Sequence, residues 1–148
     1  MTANLLYILL AVAGGVLMAV QAPTNAVLAR ASGSPVLAAL ISFVVGTVAL
    51  AALLFAGSGP RTLDGARALP WWAWVGGLYG AFFVAMAAFV VPRIGVGALL
   101  AAAVAGQLAG ALLLDHYGLL GLEPRPATLA CVFGLVLVFA GAFLVRRG

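Results

Sequence analysis

Few side chains in this sequence can do chemistry, and most of them interrupt apolar runs. Gln107 stands inside AVAGQLAGALLLDHYG, and Gln21 and Asn25 flank Pro23 in AVQAPTNAV. Tyr79 begins an aromatic stretch with Phe82, Phe83 and Met86, while Asp115 and His116 close the Gln107 run. An amide in hydrocarbon has donors and acceptors that water cannot satisfy, so it bonds to protein or to a visiting ligand. Gln107 is therefore either glue between helices or part of a cavity wall, and the same choice applies to Gln21 and Asn25. Gln21 and Asn25 stack on one helical face with Gly14 and Met18, at spacings of four, three and four residues. Pro23 between the amides lacks an N–H, which predicts a kink and a freed carbonyl at Ala19. Tyr79 and Phe83 would add an aromatic wall able to hold a small organic molecule, a cation included. Asp115 and His116 are the candidates for coupling to protons; the plainer reading makes Asp115 an interfacial residue paired with an arginine.

The elements that must position these groups are membrane helices. Of 148 residues 66% are hydrophobic and 7% charged, and every one of the seven basic residues is arginine, far from the charge content of a soluble domain. A bilayer core of about 30 Å needs roughly 20 apolar residues per helix. Five runs qualify, at about 4–29, 35–56, 71–91, 96–114 and 127–145. Gln107 lies about two residues, or roughly 3 Å, from the middle of the fourth. Gly106 and Gly110 beside it form a small-xxx-small pair that admits a close neighbour. The chain therefore reads as one all-α membrane domain spanning residues 1–148. SGSP predicts a turn with Ser34 as N-cap and Pro35 opening the second helix. AGSGPRTLDGARALP is the polar linker, PRIG a tight connection with Pro92 ending a helix, and DHYGLLGLEPRP closes the fourth run. Trp71, Trp72 and Trp74 fit an interfacial belt. The first run lacks a basic leader and exceeds a signal sequence in apolar length, so it reads as a retained helix. Cys131, the single cysteine, points to neither a disulfide nor a metal site.

Five crossings put the two ends on opposite sides. Arg61, Arg67 and Arg125 then fall on the N-terminal side and Arg30, Arg93, Arg146 and Arg147 on the other. Orientation follows an excess of positive charge, and a split of three against four supplies almost none. The expectation is insertion both ways and pairing of antiparallel copies.

The segments GGVLMAVQAPTNAVLAR, SPVLAALISFVVGT, PWWAWVGGLYGAFFV, VPRIGVG and AGQLAGALLLDHYGLLG together resemble the YdcZ-like family of small bacterial inner-membrane proteins, part of the drug/metabolite transporter superfamily. The resemblance covers essentially the whole chain. Its motifs are Q-x-P-x-N, WW-W-x-GG, GQ and D-H-x-G. It implies a bacterial inner-membrane location and a five-helix half of an inverted-repeat transporter, completed by an antiparallel second copy or a paralogous half. The midhelix carboxylate on which related four-helix exporters rely for proton exchange has no counterpart here.

The function that follows is transport of a small organic substrate through a midplane site lined by Gln107, Gln21, Asn25, Tyr79 and Phe83. A small dual-topology channel would instead give uncoupled, fast flux, and an accessory membrane subunit none. An enzyme is disfavoured, since no Ser/His, paired-carboxylate or metal-ligand spacing lies within the helices. No cofactor is expected. Nucleic acid is excluded as a partner because the arginines sit at helix ends rather than on a clustered basic face.

Overall fold

A computed structural model describes residues 2–57 and 65–147 of the chain. Arg61 and the rest of 58–64 in the polar linker lie outside the described residues. The described chain is all-α: α1 spans Thr2–Ser32, α2 Pro35–Ala56, α3 Gly76–Tyr117 and α4 Leu129–Arg147. Short 3-10 turns occupy Ala66–Ala68, Trp71–Trp74 and Leu119–Gly121. All four α-helices are long and apolar enough to cross a membrane.

The third exceeds expectation: α3 runs for 42 residues and contains one non-helical residue, Gly95, at φ 81° and ψ 164°. Two helical stretches therefore meet at Gly95, and Pro92, expected to end a helix, sits inside the first. The reason is conformational. Proline keeps φ near its helical value, whereas this break needs a positive φ that glycine supplies without a Cβ penalty. The start of α3 also moves. Trp71–Trp74 form a 3-10 turn with no side chain capping them, and α-helical geometry begins at Gly76.

The chain divides into two compact units, Met1–Pro92 and Arg93–Gly148. In the first, α1 packs on α2 across the turn at Gly33, whose φ of 70° reverses the chain. Ser34 then caps α2 as its sequence predicts, its hydroxyl accepting the Leu37 N–H at 3.1 Å. The buried residues are mostly alanine: Ala22, Ala26 and Ala29 on α1, Ala38 and Ala39 on α2. The first stretch of α3 buries Val84, Ala87, Ala88 and Val91, one helical face at spacings of three, one and three. Ala29, Ala38 and Ala88 form the centre of this core. Small side chains let helix backbones approach closely, the main source of helix association where surrounding lipid is as apolar as the protein.

In the second unit, residues 93–117 and α4 form a hairpin. A Cβ at Gly97 would lie 3.7 Å from Val145 Cγ1, which sets the start of one helix beside the end of the other. Gly118 ends the first in the left-handed region, φ 60°. An extended segment then returns, fastened where the Arg125 N–H donates to the Asp115 carbonyl at 2.7 Å and the Ala127 N–H donates to His116 Nδ1 at 3.0 Å. Pro124 and Pro126 keep it out of helix, so α4 begins at Leu129 rather than 127. Thr128 caps it, accepting the Cys131 N–H at 3.2 Å.

Candidate binding grooves

Polar side chains inside the apolar helices of the first unit converge on one place. Gln21, Ser42, Phe43, Gly46, Thr47 and Leu50 line a groove of about 190 Å³ between α1 and α2. Ser42 and Gly46 are four residues apart, as are Phe43 and Thr47, so each pair shares a helix face and both open on the groove. Ser42 and Thr47 lie in the middle third of the 22-residue α2. Phe43 is the hinge of the arrangement: its ring packs over Gly80, where a Cβ would come within 3.2 Å of Cζ. It also walls a second, apolar groove of about 280 Å³ with Val36, Ala39, Leu40, Ala81 and Ala85. Hydroxyl and amide groups thus stand on one side of an aromatic ring and methyl groups on the other. Such a surface suits a small molecule with one polar and one apolar end.

The residues expected from sequence are distributed more widely. Gln21 is half-buried in the polar groove, and Asn25, one turn on, is buried at 4% exposure among Ala22, Ala26 and Ala29. No buried side-chain nitrogen or oxygen among the described residues lacks a partner. Near Pro23 the Thr24 hydroxyl donates to the Val20 carbonyl at 2.8 Å, so a side chain bonds the backbone one residue beyond the expected free acceptor. Phe83 is half-buried, but Tyr79 is 68% exposed and lines neither groove.

Gln107 belongs to the second unit and is exposed. Its neighbours Leu108 and Ala111 line a groove of about 370 Å³ with Asp115, Cys131, Gly134 and Leu135. Gln107 and Gln21 fall in different units. Asp115 is half-buried, His116 exposed with its ring edge-on to Tyr117 at 4.7 Å. Both are engaged in holding the 118–128 segment, through a backbone carbonyl and a ring nitrogen. Among the described residues no three His, Cys, Asp or Glu side chains are grouped so as to hold a metal.

Sequence reading passed over Ser42, Phe43, Gly46 and Thr47. The signal was present: SFVVGT places two hydroxyls and a glycine at the centre of an otherwise apolar run. A hydroxyl bonds its own helix backbone readily, which makes serine and threonine less conspicuous than glutamine in such a run.

Comparison with known proteins gives these grooves a setting. The family described as "Putative inner membrane exporter, YdcZ" matches residues 6–144. The inner membrane protein YdcZ of Escherichia coli (strain K12) is 29% identical over 137 residues, covering 92% of this chain and 91% of its own. No solved structure matches. With several apolar helices long enough to span a bilayer and a match along nearly its whole length, the chain belongs to the YdcZ family of multi-pass inner-membrane proteins.

Proposed function

We propose that the protein exports a small organic molecule, and that Gln21, Ser42 and Thr47 supply the polar contacts of its binding groove. The observation that carries this reading is the groove itself: three hydrogen-bonding side chains from two membrane helices around Phe43, in the body of apolar spans. Its position suits binding, because hydrogen bonds away from bulk water are strong and an unfilled one is costly. The family match supports export as the direction.

The exporter is an antiparallel pair of copies inserted in both orientations. Three features support this. The 42 residues of α3 would make about 63 Å of straight helix at 1.5 Å per residue, twice the hydrocarbon thickness. It therefore crosses twice, turning at Gly95 beside Arg93, and the chain crosses five times. The arginine split of three to four follows from that count. Finally, Gln107 is exposed near the middle of its run and needs a protein partner in the bilayer. A second copy supplies that partner, and Tyr79 and Phe83 help to wall the midplane cavity that results, whereas Asn25 is buried within its own unit. Asp115, half-buried, and His116 beside it are the candidates for coupling in this cycle.

The test begins with a thermal-shift screen of metabolites on purified protein, followed by liposome flux of the hits. Gln107→Leu is expected to leave the pair assembled and to lower flux per assembled pair. Normal flux per pair would remove Gln107 from the site. A C-terminal reporter is expected to be active on both sides of the membrane. A single orientation that two added lysines at either end fail to shift would defeat the topology. Flux without saturation or substrate selectivity would mark a channel.

A further inference from the structure

Beyond the export groove, the geometry points to a site for an anionic phospholipid on the second unit, its acyl chain in the groove between residues 94–105 and α4 and its phosphate on Arg146. This groove, about 520 Å³, is lined by Ile94, Ala98, Ala102 and Ala105 on one helix and Phe139, Ala142, Phe143 and Arg146 on the other. Seven of those eight side chains are hydrocarbon, and the eighth is a guanidinium at one end. The register is fixed by the Gly97 and Val145 contact, which puts the first turn after Arg93 beside the last turn of α4. Arg93, Arg146 and Arg147 therefore share one end of the hairpin. Asp115 and Glu123, the acids among this unit's described residues, lie toward the other. The last turn of α4 also carries the negative end of its helix dipole, which the arginines offset.

The two arginines of α4 have different surroundings. Arg147 lies over the Phe143 ring, its Cζ 4.4 Å from the ring centre. Arg146 lines the groove. A guanidinium binds phosphate oxygens in a bidentate fork, so Arg146 holds a headgroup at the depth where membrane phosphates lie. The alanines opposite Phe139 and Phe143 leave a channel that an acyl chain fills and a polar metabolite does not. Charge at one end and hydrocarbon along the rest match an anionic lipid better than a second copy's apolar helix, which would leave the guanidinium without a counter-charge.

The experiment is native mass spectrometry of the purified full chain in mild detergent, titrated with phosphatidylglycerol, phosphatidylcholine or inorganic phosphate. Phosphatidylglycerol is expected to give a discrete adduct surviving detergent, phosphatidylcholine a weaker one and phosphate none. Arg146→Gln should weaken phosphatidylglycerol binding about fivefold, the effect of one arginine at an anionic surface, and Arg147→Gln should weaken it less. Ala102→Phe, which fills the channel and leaves the arginines in place, should also weaken it. Equal adducts with both lipids, or undiminished phosphatidylglycerol binding in Arg146→Gln and Ala102→Phe alike, would overturn the site. So would a phosphate adduct equal to that of phosphatidylglycerol, or disulfide formation between copies at Ala102→Cys on a Cys131→Ser background.

Discussion

In the first unit three polar side chains of the membrane helices turn toward one another, Gln21 facing Ser42 and Thr47 across a groove, and Asn25 sinks among alanines. In residues 93–147 they collect at the ends of a hairpin: Asp115 and His116 fasten a returning segment, Thr128 caps α4, and Arg146 and Arg147 finish it. The exception there is Gln107, midhelix and exposed. Burial follows the same division. The first unit closes three helical faces over small side chains, whereas the second buries only Leu99 and Ala105 fully among its described residues. A unit that buries so little is held by its connection, and one that turns polar groups inward has room to hold a ligand. Substitutions in the second unit's turn should then act on stability, and substitutions in the first unit's groove on transport.

The largest stability effect is expected at Gly118. Its φ of 60° is left-handed, and a Cβ would fall 2.7 Å from Pro124 Cγ and 3.0 Å from the Leu122 carbonyl. The backbone conformation alone costs a branched residue roughly 1–2 kcal/mol, and the collisions add to it. Gly118→Val should therefore lower the thermal midpoint well below that of Gly110→Val, where a Cβ meets nothing within 4 Å. Equal midpoints would mean that the turn does not hold the hairpin, and the contrast between the units would fail.

That contrast was partly legible in the sequence. The apolar runs and the Ser34 cap could be read because helix length and capping are local properties, whereas the break in α3 falls at Gly95 and not at the expected Pro92. The groove could not, because it depends on which faces of α1 and α2 meet, and alanine-rich faces differ little from one another. Gln107 and Tyr79 illustrate the limit. Both sit at a depth that demands a partner, but depth does not specify direction, and the chain leaves both exposed. Asp115 and His116 read as a titrating pair by adjacency, while their hydrogen bonds run to Arg125 and Ala127 in a segment that two prolines hold extended.

A second way to test the contrast lies at the boundary between the units. Gly95, at φ 81° and ψ 164°, occupies a region essentially reserved for glycine, where another residue costs on the order of 1–3 kcal/mol. Gly95→Ala should reduce both the thermal midpoint and the amount of protein reaching the membrane fraction, with flux per folded molecule reduced only if the two crossings must be separated there. An unchanged midpoint would show that the break is not held by this residue.

The smallest stability effect, and the sharpest separation of the two units, is expected at Gln21. It is half-buried in a groove beside Ser42 and Thr47, and no hydrogen bond of its side chain is formed among the described residues. Replacing such an amide by an apolar group of similar size removes a polar group without orphaning a partner, which is often close to neutral. Gln21→Leu should therefore shift unfolding by less than about 0.5 kcal/mol. Transport should respond very differently. A ligand that loses one hydrogen bond in a water-poor groove loses about 1.4 kcal/mol, or tenfold, in the affinity that sets flux at low substrate. Thr47→Val should act in the same direction and Gln21→Asn should restore part of the loss, since an amide remains with a shorter reach. Measured together, liposome flux and the thermal midpoint decide the matter. A lowered midpoint with normal flux per folded molecule would make Gln21 a structural contact like His116, and the groove between α1 and α2 would be packing rather than a binding site.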